Sequence, residues 1–478
     1  MDETGGHYPA PLRILDVLGQ SLGLPVGKAL EVEAEAAGEL ISSRVSRSLI
    51  HVYHIREAAR KPPVKAKPLP VSFVGVVGAG VMGGGIAQLV AYNGMDVRMR
   101  DLEESAVAGG LRHARSLFDR AVEKRRMERL EAERAMDRIS GGTTPGGFGR
   151  ADLVVEAVAE RLEVKRSVLA EVEGEVPETC LLATNTSTLS VDDMAEALER
   201  PESFLGLHFF NPVHKMPLVE IVRGRKTSDE AVATAHALAR KLGKVPVVVG
   251  DGPGFLVNRI LGPYLNEAGH LLAEGASVED IDRAATDFGM PMGPLRLVDE
   301  VGIDIATHAG VVLHQAFGDR MEPAEPLVAL GRSGRTGRKG GLGFYRYEDG
   351  REAGVDPGLD ELLGESRRSV RRELPVEDIR ARLILAMMNE AARVLEEGIA
   401  GSAADVDLAM IMGTGFPPFR GGLLRFADEL HPRVVVERMR EYEATEGPRF
   451  VPAPLLVRLG REDGRFAEAF PHPALSSP

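Results

Sequence analysis

The chain is almost without cysteine: Cys180 is the only one in 478 residues. It can therefore form neither an internal disulfide nor a thiolate metal cluster, and this suits a reducing cytoplasm. No apolar run approaches the length needed to span a bilayer. The amino-terminal MDETGGHYPAP has neither a positive n-region nor an apolar h-region, so no secretory signal is evident and a cytoplasmic location is expected. Basic charge is also short: 58 Lys and Arg stand against 71 Asp and Glu, a formal charge of −13. A general nucleic-acid binder needs a basic face to displace counterions, so that class is excluded. A polyanionic cofactor asks only for a local patch; the helical run from Arg112 to Arg126 offers one, or is simply a solvated helix face. What the chain does have is an ordinary globular balance, 44% hydrophobic and 27% charged, at a length of roughly three common domains.

Residues 1–70 read as a helical linker segment. Apolar positions recur at helical spacing through RILDVLGQSLGL and AGELISSRVSRSLIHVYHIREAA, and KPPVKAKPLP then breaks the helix. From 71 to 250 short apolar runs alternate with amphipathic helices (SFVGVVG, DVRMRD, DLVVEAV, CLLATNTS, FLGLHFF, VPVVVGD), the pattern of a parallel sheet with crossover helices. After Gly250 the strand signals stop. Two helical domains are expected, 251–350 and 351–478, because YLNEAGHLLAEG followed by VEDIDRAATDFGMPMGP is echoed by MMNEAARVLEEG followed by AADVDLAMIMGTGFPPF. The glycine-rich GRKGGLGFYRYEDG between the copies is expected to be a connecting loop. The fold class is thus α/β followed by an all-α region of two related repeats.

Gly78, Gly80 and Gly83 form G-x-G-x-x-G after the strand SFVGVV and at the start of a helix. The first glycine permits the tight turn, the second the approach of a pyrophosphate, and the third close helix packing, with the helix N-terminus facing the anion. A second strand ends at Asp101, about twenty residues on, where a carboxylate accepts ribose hydroxyls and repels a 2′-phosphate. Residues 71–250 are therefore expected to be a Rossmann-type domain binding NAD. Arg100 could argue for a phosphorylated cofactor, but its side chain is expected on the other side of the strand end, facing solvent.

GLHFFNPVHKMPLVEIV places His208 at the carboxyl end of a strand, where open α/β sheets bind ligands. Oxidation of an alcohol needs a base near neutral pKa, and histidine supplies one. Glu220, twelve residues on, could accept the other ring N–H. A lone histidine is more often a satisfied structural residue, and His214, between Pro212 and Pro217, is left out of the site.

GAGVMGGGIAQ, DLVVEAVAERLEVK, ATNTSTLS, GLHFFNPVHKMPLVEI, GPGFLVNR and GMPMGPLRLVDEVGID occur in this order, and with them the chain resembles the 3-hydroxyacyl-CoA dehydrogenase family over nearly its whole length. The two helical repeats are most similar to the dehydrogenase portion of the bacterial multifunctional fatty-acid oxidation α-subunit. The resemblance implies NAD-dependent oxidation of (S)-3-hydroxyacyl-CoA to 3-ketoacyl-CoA in β-oxidation. It implies His208 as base, Glu220 as its partner, and Ser187 and Asn258 as holders of the substrate hydroxyl and thioester carbonyl. It also implies Gly78, Gly80, Val81, Met82, Gly83, Asp101, Glu160, Lys165 and Asn185 around the cofactor, with no metal. Without the family, Glu160 and Lys165 read as an ordinary pair of surface charges. The implied partners are the acyl-CoA substrate and either a second copy or a complex with a thiolase and a separate enoyl-CoA hydratase. Residues 1–70 read as the segment tying hydratase to dehydrogenase in such proteins, so no hydratase activity is expected. Two readings compete. Related β-hydroxyacid dehydrogenases use a catalytic lysine where this sequence offers His208 and Glu220, and a non-catalytic CoA-binding scaffold has no need of the four polar residues.

Overall fold

The computed structural model describes residues 5–144, 146–364 and 374–475; residues 1–4 of the amino-terminal stretch and 365–373 of the last expected domain lie outside it. The chain forms two compact units. One comprises 57–258 with 398–401, the other the remaining residues.

The first unit is built on an eight-stranded sheet of order β3-β2-β1-β4-β5-β6-β7-β8. Its strands are β1 (Phe73–Val77), β2 (Asp96–Arg100), β3 (Ile139–Gly142), β4 (Leu153–Glu156), β5 (Leu181–Thr184), β6 (Phe204–Phe209), β7 (Leu218–Arg223) and β8 (Val245–Gly250). Helices Val81–Tyr92 and Leu162–Glu173 follow β1 and β4, on either side of the point where the strand order reverses. Every residue of β4, β5 and β6 is buried, which is why these segments read as unbroken apolar runs rather than alternating ones. Val74, Val76, Ile86, Met99, Phe118, Leu153 and Val155 form the centre of the core.

The expected parallel sheet needs two corrections. β3, short and half glycine, adds an edge strand, and β7 runs antiparallel to β6. The reason for the second is length. The connection 210–217 is shorter than the dozen or so residues a parallel crossover needs, so β6 and β7 must form a hairpin. That hairpin sets His208 directly across from Glu220.

A third correction concerns Arg100, expected to face solvent. It is 6% exposed and lies over the Phe148 ring at 5.1 Å, paired with Glu175 at 2.8 Å and Glu171 at 3.1 Å. Helices cover both faces of a doubly wound sheet, so pointing away from Asp101 still means pointing inward.

In the second unit the repeat is written in buried charges. Arg259 in the helix Val257–Ala273 donates to Glu390 at 2.7 Å; the matching Arg382 in the helix Val376–Glu396 donates to the matching Glu267 at 2.6 Å. Each copy reaches into the other, and further ion pairs back the exchange: Arg259 also meets Glu397 at 2.7 Å, and Arg382 meets Glu274 at 2.7 Å. Two aspartates per copy hold the starts of later elements, three of them helices and one a strand. Asp282 accepts from the amides of Leu295 and Arg296, and Asp407 from those of Leu424 and Arg425. Asp299 accepts from Phe344 and Tyr345, and Asp428 from Phe466 and Ala467.

The copies differ at GRKGGLGFYRYEDG, which is not a plain loop. It leads into a hairpin of β9 (Tyr345–Glu348) and β10 (Arg351–Val355). Tyr345 and Tyr347 point inward from β9, their hydroxyls donating to Asp282 and Asp299. Alternation in YRYE is the strand signal that the glycines before it obscured. Among the described residues the second copy has no such hairpin; there His51 of the amino-terminal helix Arg44–Ala58 stands 3.4 Å from Asp407.

Candidate active site

The glycine-rich turn joins β1 to the helix Val81–Tyr92. Gly78 has φ +102°, and a Cβ there would lie 2.4 Å from the Ala157 carbonyl oxygen; one on Gly83 would lie 1.8 Å from the Gly78 oxygen. A Cβ on Gly80 would meet nothing within 4 Å. Two glycines are thus demanded by the protein itself, and the third leaves its side open, at a helix N-terminus suited to an anion. Asp101 closes the turn: its Oδ2 accepts from Ala79 N at 2.7 Å and its Oδ1 from Leu102 N at 2.7 Å. Val81 is exposed and Met82 half-buried beside it. These residues fit a dinucleotide.

Across the sheet, His208 is 5% exposed and Glu220 fully buried. Glu220 Oε2 is 2.7 Å from His208 Nδ1, while Oε1 accepts from Val257 N at 2.9 Å. An ionised carboxylate only accepts, so Nδ1 carries a proton and, in the neutral imidazole, the lone pair lies on Nε2. Two aromatic rings frame the imidazole, Phe210 at 4.3 Å and Phe255 at 5.8 Å between centroids. Phe255 is buried with φ +50°, a left-handed conformation that a bulky residue seldom adopts. The same carboxylate therefore orients the imidazole and ties down the residue before Asn258.

Asn258 Nδ2 donates to the Ser187 carbonyl at 3.3 Å, and Asn185 Oδ1 accepts from Phe209 N at 2.9 Å. Ser187 lies in a turn centred on one carboxylate oxygen. Glu160 Oε1 accepts from Thr186 Oγ1 at 2.6 Å, Ser187 N at 2.9 Å and Thr188 N at 3.2 Å. Burial works to raise the Glu160 pKa, but the Lys165 ammonium and these hydrogen bonds outweigh it and hold the carboxyl below its ordinary range.

Glu160 and Lys165 are not a surface pair. Lys165 is 1% exposed, its ammonium held by Glu156 at 2.9 Å and 3.1 Å and by Glu160 at 3.3 Å. Glu156, which sequence reasoning passed over, also accepts from Thr184 Oγ1 at 2.7 Å and Val158 N at 2.7 Å. A glutamate closing the apolar run LVVE was the available signal, because a charge at the end of a buried strand must have a partner. Asp251 was passed over too; it accepts from Ser190 Oγ and from the amides of Val191 and Asp192 at 2.8–3.0 Å.

The expected residues accordingly fall into two groups in one unit: Gly78, Gly80, Val81, Met82, Gly83 and Asp101 around the turn, and Glu160, Lys165, Asn185, Ser187, His208, Glu220 and Asn258 linked by hydrogen bonds, some through backbone atoms.

Comparison with known proteins gives the arrangement a context. The family model described as the NAD binding domain of 3-hydroxyacyl-CoA dehydrogenase matches residues 73–252, and the one described as its C-terminal domain matches twice, at 254–347 and 379–469. The 3-hydroxybutyryl-CoA dehydrogenase of Escherichia coli K12 is 28% identical, covering 82% of this chain and 99% of its own, with a TM-score of 0.72. The (S)-3-hydroxybutyryl-CoA dehydrogenase of Ralstonia eutropha is 40% identical over 59% of this chain and 100% of its own, with a TM-score of 0.57. The dehydrogenase part of multifunctional enzyme 1 from C. elegans is 26% identical over 86% and 96%, with a TM-score of 0.62.

Proposed function

The chain belongs to the 3-hydroxyacyl-CoA dehydrogenase family and is an NAD-dependent oxidoreductase, and on that premise we propose that it oxidises (S)-3-hydroxyacyl-CoA to 3-ketoacyl-CoA in fatty-acid β-oxidation. The observation that carries the reading is the buried contact of 2.7 Å between Glu220 and His208 Nδ1, which leaves Nε2 as a base. Nε2 takes the proton of the C3 hydroxyl, and the buried carboxylate stabilises the imidazolium so formed. In the reverse direction the imidazolium returns that proton. NAD, when bound, supplies the acceptor for the hydride from C3. The turn Gly78–Gly83 would hold its pyrophosphate, and Asp101 its ribose hydroxyls.

Ser187 and Asn258 orient the substrate hydroxyl and thioester carbonyl, and their contribution is geometric. What supports this is their placement. Asn258 follows directly on the amide that Glu220 holds, and Ser187 sits on the Glu160 carboxylate. The product is a β-ketothioester, the substrate class of thiolases. We propose that the chain works in the cytoplasm as a homo-oligomer, or beside a thiolase and an enoyl-CoA hydratase.

The test is an NAD(H) assay with short, medium and long 3-hydroxyacyl-CoA and 3-ketoacyl-CoA substrates in both directions. NADH formation from an (S)-3-hydroxyacyl-CoA is the expected result. No turnover with any chain length, in protein shown to bind NAD, would overturn the reading.

A further inference from the structure

Lys244 is a charge that the chemistry above does not use. It stands between the helix Asp229–Lys241 and β8 and is 8% exposed. Among the described residues no carboxylate pairs with it. Its Nζ donates to two backbone carbonyls, that of Val213 and, at 2.7 Å, that of Met216. An ammonium taken out of water without a counter-charge is costly. A neutral side chain would fill the space more cheaply, so the charge calls for a reason.

Both carbonyls belong to 210–217, the connection between the strand that carries His208 and the one that carries Glu220. Pro212 O accepts from the amides of Lys215 and Met216, and Val245 N donates to Pro217 O at 2.8 Å, so the ammonium closes a loop already turned back on itself. Two side chains of this loop reach the site. Phe210 lies on the His208 ring, and the buried Val213 packs against Gly85, where a Cβ would come within 3.1 Å of it, in the helix that starts at the glycine-rich turn.

We propose that Lys244 is a positioning residue for the dehydrogenase reaction: by clasping the Val213 and Met216 carbonyls it fixes the 210–217 loop, and through Phe210 it holds the His208 ring in the orientation that Glu220 sets. The inference rests on His208 being the base.

A structural role alone would show in stability; a positioning role also shows in kcat and in the pH profile. Burial pulls the Lys244 pKa down from 10.5 to about 8. The charged groups around the loop are His214 and Lys215 within it and, facing His214 from the helix Glu104–Glu123, His113 and Arg120. Burial first, then these cations, lowers the His214 pKa below 6.5, so His214 is neutral throughout the alkaline range. Activity should fall as pH rises through about 8, because the ammonium is lost. Stability has the opposite sign: between the folded value near 8 and the unfolded 10.5 the unfolded chain binds the extra proton, so this group's contribution to stability rises with pH. An alkaline loss of turnover without a loss of Tm therefore separates the clasp from unfolding.

The experiment compares the wild-type chain with Lys244→Met, Lys244→Arg and His208→Ala, measuring Tm, NAD affinity, kcat, KM and the pH profile from 6 to 10. Lys244→Met should keep NAD affinity and KM, lose on the order of tenfold in kcat and lack the limb near pH 8. In Lys244→Arg, whose guanidinium does not titrate there, the limb should disappear from this range. Unchanged kcat and an unchanged limb in Lys244→Met, even with a lowered Tm, overturn the proposal. If Lys244→Met does not fold, a wild-type profile without a limb near pH 8, or one that Lys244→Arg leaves in place, overturns it too. A His208→Ala variant with near-normal turnover would instead sink the reading of His208.

Discussion

Replacing Glu220 by Gln keeps the size of a fully buried side chain but exchanges one acceptor oxygen and the negative charge for an NH2 donor. One carboxylate oxygen accepts from Val257 N at 2.9 Å and the other from His208 Nδ1 at 2.7 Å, so the position needs two acceptors. An amide has one. If the amide oxygen stays on Val257, the NH2 faces Nδ1, the ring turns to the opposite tautomer, and Nε2 carries a proton where a base is needed. If the amide flips, Nδ1–H keeps an acceptor but two N–H groups oppose each other at Val257, a buried conflict of about 1–3 kcal/mol. In either case the imidazolium loses a charge-assisted hydrogen bond worth about 1.5–3 kcal/mol, or about one to two decades in rate. With the wrong tautomer added, kcat should fall by roughly two to four decades. The assay is NADH formation at saturating substrate, with Tm and NAD affinity measured on the same preparation. NAD affinity should stay within about threefold, because the cofactor turn is a separate group of residues. A kcat within about threefold of wild type, in folded protein, would refute the assignment of Glu220 and with it the tautomer argument.

Gly80→Asp retains a good helix N-cap but places a carboxylate where an anion is to sit; NAD affinity should fall more than about tenfold with little change in Tm, whereas Gly83→Ala, with its Cβ 1.8 Å from the Gly78 oxygen, should lower Tm itself. Asn258→Ala should cut turnover by about ten- to a hundredfold, while Ala381→Asn, the matching position of the second repeat, should leave turnover nearly unchanged; thermal melts and steady-state kinetics on both variants decide. Burial pushes the Asp428 carboxyl up to about 6 from 3.8. A raised folded value means the folded state binds the proton more tightly, so this group's contribution is complete below 3.8 and lost as pH rises through about 6. Wild type should therefore gain in Tm over Asp428→Asn as pH falls from 7 to 4, and a constant difference would contradict this.

What the sequence determined by itself is whatever depends on near neighbours along the chain. The glycine spacing of Gly78, Gly80 and Gly83 after an apolar run, the carboxylate ending the second strand at Asp101, and the doubled NEA segment at Asn266 and Asn389 each state a local requirement that a single stretch of residues can reveal. Even the pairing of His208 with Glu220 was within reach, because a connection as short as 210–217 leaves only a hairpin, and a hairpin sets fixed residues opposite one another. Tertiary structure decided the rest, because burial is a property of the whole fold. Arg100 reads as a solvent-facing cation until the helix carrying Glu171 closes over it, and Lys165 as a surface charge until β4 and β5 bring Glu156 and Thr184 beside it. Lys244 shows the same limit: a lysine before a strand is unremarkable in sequence, and only the returning loop makes it a buried ammonium facing two carbonyls. An exposed charge is satisfied by water and carries no positional information, whereas a buried one must be met by particular atoms, and which atoms those are is fixed by contacts between residues far apart in the chain.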